Sequence, residues 1–117
     1  MAGSLGEFEQ LTLLAVLRLG DEAYGVTVRQ AIEDVTGRDV SAGAVYTTLA
    51  RLEKRGLVAS RVGETVPERT GQRRKYYTVL PEGAAMVFDS VNAVARMVDG
   101  LTPELEELAQ RAAGGDR

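Results

Sequence analysis

The sequence predicts a mainly α, α+β chain: three helices, a two-stranded hairpin, and a C-terminal helical region. Three observations carry that expectation. Stretches with apolar residues at steps of three and four occupy the first half, two runs rich in β-branched and aromatic residues follow across a Gly- and Pro-containing gap, and a long heptad stripe closes the chain. At 117 residues, with 44% hydrophobic and 26% charged, one domain with a modest core is expected, and domains this small often gain stability from a second copy.

The first helix is expected over 7–19, EFEQLTLLAVLRL. Its apolar residues lie on two sides, with Phe8, Leu11, Leu14 and Ala15 on one and Leu13, Val16 and Leu17 beside them. A helix apolar most of the way round needs cover most of the way round, and in so short a chain the second cover is expected to be another subunit. Gly20 and Asp21 end it. The next helix runs from about Gly25 to Val35 on Val28, Ala31, Ile32 and Val35, and stops at Gly37.

Ser41 suits the N-cap of a third helix that continues to Arg55 and ends at Gly56. At 100° per residue, Val45, Thr48, Leu49 and Leu52 share the inner side. Gly43, Thr47, Ala50, Arg51 and Lys54 lie opposite, with Tyr46 and Glu53 on a flank. Small side chains near the N-terminal end and cations further along are what a helix needs to lie close to base edges and phosphates in a DNA major groove. Tyr46 on the flank is assigned a phosphate contact, with bracing of the helix as the alternative.

Two antiparallel strands are expected at about 57–62 and 72–79. The intervening GETVPERTG, with glycine at both ends and a central proline, is read as loop. Strand alternation sends one of Tyr76 and Tyr77 inward and the other outward. Arg69, Arg73, Arg74 and Lys75 make the hairpin a cationic arm able to follow a DNA backbone or enter a minor groove. From Arg51 to Lys75 there are eight Lys or Arg against three Glu, a surplus of five, so the rest of the chain carries −8 of the net −3. A polyanion would meet the cationic segment first; a solvated charged face is the plainer alternative.

In the C-terminal part, Ala84, Val87, Val91, Val94, Val98, Leu101, Leu105, Leu108 and Ala112 follow alternating steps of three and four. Thr102 and Pro103 interrupt the run, so a helix over 82–99 and a kinked or separate helix to about 113 are expected. The stripe either meets a second copy or packs back on its own domain. The intersubunit reading is preferred, with Phe8, Leu11 and Leu14 joining Val87, Val91, Val94, Val98, Leu101, Leu105 and Leu108 in the dimer interface. Off the stripe, Met86, Phe88 and Met97 suit either core or a small apolar cavity. The resulting division is 1–80 for DNA binding, 81–113 for dimerisation and 114–117 as a disordered tail.

Other chemistry is poorly supplied. Cysteine and histidine are absent, which removes disulfides, thiolate nucleophiles, the usual zinc sites and any Ser-His or Cys-His dyad. No Gly-rich phosphate loop or paired carboxylate motif is present, so no enzyme, no cofactor and no metal are expected. No apolar run approaches the roughly 18–20 residues that span a bilayer, and MAGSLGEFEQ is acidic, unlike a secretory signal. A cytoplasmic protein without a membrane partner is expected.

Helix, helix, helix, hairpin is the order of a winged helix-turn-helix domain. Four motifs in order make the likeness specific over roughly residues 5–85: AYG at 23–25, S-x-G-x-V-Y at 41–46, L-x-R-L-E-x-x-G-L-V at 49–58, and G-x-R-R-K-Y-Y-x-V-x-P-x-G at 71–83. The chain resembles PadR-like transcriptional regulators, and its short C-terminal region is similar to that of the short subfamily. The resemblance implies a homodimeric repressor that binds a palindromic operator in double-stranded DNA and, as in many members, is released by a small-molecule effector. It places DNA contacts at Ser41, Gly43, Tyr46, Thr47, Arg51 and Lys54 on the third helix, and at Arg61, Arg69, Gln72, Arg73, Arg74 and Lys75 on the wing. A winged-helix protein-interaction module that does not bind DNA is the alternative function.

Overall fold

The computed structural model describes residues 4–65 and 73–114. The elements are α1 (Glu7–Leu19), a 3-10 turn (Gly20–Glu22), α2 (Gly25–Thr36), α3 (Ala42–Lys54), β1 (Val58–Thr65), β2 (Arg73–Val79), α4 (Pro81–Val98) and α5 (Thr102–Gly114). This is a mainly helical winged helix-turn-helix fold.

Local chemistry fixes the helix boundaries. The Glu9 carboxylate accepts the Gly6 N–H at 2.9 Å, closing the start of α1. Ser41 Oγ accepts the Ala44 N–H at 3.0 Å at the start of α3. Gly37, with φ 74°, and Gly56, with φ 76°, take the left-handed conformation that ends α2 and turns the chain after α3. Leu13 and Val16 of α1, Val28 and Ile32 of α2, and Val45, Leu49 and Leu52 of α3 form the core, with Leu57, Val58, Tyr77 and Val87 closing it from the hairpin and α4. Burying these side chains at roughly 1.5–3 kcal/mol each supplies the main driving force for the fold. Burial also pushes the Tyr77 hydroxyl above its usual titration range.

β1 and β2 pair antiparallel, with Val58 opposite Val79 and Arg61 opposite Tyr76. The register shifts between Val62 and Thr65. Gly63, expected to stop the first strand, lies inside it: the Tyr76 ring covers this position, and a Cβ there would sit 2.5 Å from Tyr76 Cε1. The hairpin is tied to the helices by an isolated bridge between Tyr24 and Tyr76 and by the Tyr77 N–H, which donates to Ala23 O at 2.8 Å.

α4 is anchored at its first turn. The Leu80 N–H donates to Leu57 O at 2.9 Å, and Gly83 passes so close that a Cβ would lie 2.3 Å from the same oxygen. Val87, assigned to the dimer interface from sequence, is 3% exposed and belongs to the core of its own chain. The stripe therefore does pack back on the domain, but only through its first two turns. The break before α5 is made by Gly100, φ 83°; Thr102 is already the first helical residue, not the cap. α5 extends to Gly114, one residue past the end expected at 113, and has no buried residue. No helix among the described residues is long and apolar enough to cross a membrane.

Candidate nucleic-acid interface

The outer face of α3 is open. Gly43, Thr47, Ala50, Arg51 and Lys54 are exposed, while Val45, Thr48, Leu49 and Leu52 are buried beneath them. A Cβ placed on Gly43 meets nothing within 4 Å, so the rest of the chain does not require glycine there. Ser41 is exposed as well, beside the first turn whose N–H groups it partly caps.

Tyr46 does two things at once. It is 51% exposed, yet its ring occupies the space a Cβ on Gly25 would need, 2.3 Å from Cε1. It thus braces α3 against the start of α2 and leaves its other side to solvent. The glycine of AYG is explained by this contact.

The cations of α3 and the wing are not one uniform stripe. Arg51 lies 3.8 Å from Glu9 on α1, and Arg55 lies 3.2 Å from the same carboxylate. Sequence periodicity does not reveal Glu9 in this role, because its cationic partners sit more than forty residues away. The Arg51 side chain stays half exposed despite this contact, and so long an exposed pair contributes little.

Lys75 is 3.4 Å from Glu53 near the end of α3, and the Ser60 hydroxyl donates to Glu53 at 2.6 Å. The Ser60 hydrogen bond, and with it the Lys75 ammonium, holds the Glu53 carboxyl below the usual carboxylate range against the opposing effect of burial. One acid therefore joins both strands to α3. Lys75 is a brace between wing and helix as well as a surface cation.

Alternation puts Arg74 and Tyr76 on the opposite face of β2 from Arg73, Lys75 and Tyr77. On that face the guanidinium carbon of Arg61 lies over the Tyr76 ring, 4.5 Å from its centroid, and that of Arg74 lies over Tyr24 at 4.4 Å. The two rings meet edge to face at 5.4 Å. Tyr76 is thus half-buried and Tyr77 buried, as alternation requires. Lys54 and Arg73 are exposed and make no ion pair among the described residues. Arg69 and Gln72, assigned to the wing from sequence, lie outside the described residues.

The remaining assigned positions lie on α1, α4 and α5. Phe8 and Leu14 are partly buried against the core, and Leu11 lines a groove between α1 and α2. Val91, Val94, Leu101, Leu105 and Leu108 are exposed and Val98 half-buried, so a long apolar strip faces outward along α4 and α5. An open groove of about 480 Å³ between α1 and α4 is lined by Leu14, Leu17, Ala84, Val87, Phe88 and Val91. Of the off-stripe residues, Met86 packs on the core, Phe88 lines this groove and Met97 is exposed.

The family model described as the transcriptional regulator PadR-like family matches residues 13–87, well over half of the chain. The chain belongs to the PadR-like family of transcriptional regulators. Among solved structures it is similar to a transcriptional regulator from Clostridium thermocellum, with 26% identity, 76% of this chain and 81% of that chain covered, and a TM-score of 0.63. A PadR family transcriptional regulator from Eggerthella lenta is 28% identical over 83% of this chain and 85% of its own, with a TM-score of 0.60. RosR of H. salinarum shares the fold at 21% identity, covering 97% of this chain and 96% of that one, with a TM-score of 0.65. A search of curated proteins returned no significant match. The matched PadR-like segment begins within α1 and ends at Val87, the last residue of α4 taken into the core.

Proposed function

We propose that this PadR-like regulator is a sequence-specific DNA-binding repressor that acts as a homodimer on a palindromic operator. The observation that carries the reading is the outer face of α3: a glycine with open space above it, a small-residue first turn and cations further along, beside a hairpin that carries Arg61, Arg73 and Arg74. Such a face admits a close approach to base edges at its N-terminal end and places charge against phosphates at the other.

The exposed apolar strip of Val91, Val94, Leu101, Leu105 and Leu108 supports pairing through the C-terminal helices. Two copies held so that their α3 helices stand about 34 Å apart read successive turns of one face of the duplex. The apolar groove between α1 and α4 gives a small uncharged effector a place to act, because a ligand that prefers one packing of these helices changes the α3 spacing.

Selection of bound sequences from random duplex DNA tests the reading. A two-fold symmetric consensus with half-sites about one turn apart is the expected result. Recovery of no consensus, together with DNA affinity indifferent to salt, would instead favour a protein-interaction module.

A further inference from the structure

Four side chains from three separate parts of the chain form one ladder. Arg61 of β1 lies over Tyr76 of β2, Tyr76 meets Tyr24 edge to face, and Tyr24 carries Arg74 on its ring. Tyr24 comes from the turn before α2, outside the wing. Its backbone also bridges Tyr76, and its N–H donates to Thr27 Oγ1 at 3.0 Å within the first turn of α2. The ring is therefore fixed to the helical core, and the wing cations are referred to it.

The manner of holding matters. An ion pair engages the N–H edge of a cation, as at Arg55 with Glu9. A guanidinium carbon held over a ring restricts the rotamers of its arginine and leaves N–H donors at the edge before any ligand arrives. Tyr76 is in turn seated over Gly63, where any Cβ would displace it. The ladder is built on backbone at both ends.

We propose that Tyr24 is a positioning residue for DNA binding: its ring positions Arg74 directly and Arg61 through Tyr76, so that one cation from each strand meets the duplex already restrained. This rests on the DNA-binding reading above.

The test is a double-mutant cycle on the selected operator duplex. Tyr24→Leu is expected to weaken binding on the order of tenfold in the otherwise unchanged protein, and less than about twofold when Arg61 and Arg74 are already alanine. Tyr24→Phe keeps the ring and is expected to keep the affinity. Arg74→Lys keeps the charge but loses the planar stack, and is expected to weaken binding severalfold, which carries the test if Tyr24→Leu does not fold. The Arg74 Nε–Hε resonance should show a ring-current shift that Tyr24→Leu abolishes. Equal loss from Tyr24→Leu in both backgrounds, or full affinity in Arg74→Lys, overturns the positioning role while leaving DNA binding intact. Absence of any DNA binding by the unchanged protein overturns the underlying reading, whatever the resonance shows.

Discussion

The ring of Tyr46 lies over the Cα of Gly25, so close that a methyl group on that glycine would fall 2.3 Å from Cε1 and 2.4 Å from the hydroxyl oxygen. The start of α2 and the exposed flank of α3 thereby touch through this ring, which fills the space left by the missing side chain. Gly25→Ala must push the ring outward. Because the ring is half exposed and can swing toward solvent, the loss in unfolding free energy, measured by urea denaturation, is expected at or below the low end of the roughly 1–3 kcal/mol that core overpacking costs. Tyr46→Ala in the same chain should relieve most of that loss; a Gly25→Ala change that costs as much without the Tyr46 ring as with it contradicts the contact.

Gly43 offers the opposite case. Nothing among the described residues lies near its missing side chain, so Gly43→Ala, in the first turn of α3, should stabilise the helix by up to about 0.5 kcal/mol through helix propensity. DNA affinity should move the other way, falling roughly tenfold, or about 1.4 kcal/mol. Gain of stability with loss of binding separates a contact surface from a structural glycine, and two changes of the same sign would count against α3 as the contact helix.

Glu53 gives a pH signature. Its folded carboxyl titrates below the ordinary value of 4.5, chiefly because Ser60 donates to it, with Lys75 adding to the effect. A depressed acid contributes stability that is present above the unfolded value and is lost as pH falls from there through the folded value. Thermal midpoints should therefore decline as pH drops below about 4.5, and Glu53→Gln should flatten part of that decline. A decline of equal size in Glu53→Gln would show that other carboxylates account for it.

Val94 is 58% exposed in the protomer, so replacing it costs the core little. Val94→Asp is expected to leave the circular dichroism spectrum intact and to convert the protein to monomers in sedimentation velocity, because the interface would then bury a charge without a partner. A dimer of unchanged stability would move the interface away from the middle of α4.

Much of this was legible in sequence because the signals are local. Ser41, Gly37 and Gly56 mark helix ends through their own backbone chemistry, and the 3.6-residue spacing of Val45, Leu49 and Leu52 identifies the buried side of α3. Gly63 misled because glycine usually punctuates a strand, whereas here a ring from the partner strand fills its place. Val87 fits a heptad stripe equally well whether it faces its own core or another subunit, and only the approach of Gly83 to Leu57 O decides that α4 starts flat against the domain. Glu9 with Arg51 and Arg55, and Tyr24 with Arg74, join residues distant along the chain, and periodicity carries no information about such pairs.

The central claim is that the α3 face and the wing bind duplex DNA largely through phosphates as well as bases. The most direct measurement is the slope of log affinity against log salt for the selected operator. Between about 50 and 200 mM salt a steep fall is expected, on the order of a thousandfold or more, made shallower by Arg73→Ala with Arg74→Ala. An affinity that stays level across that range, or a slope the paired substitutions leave untouched, contradicts it.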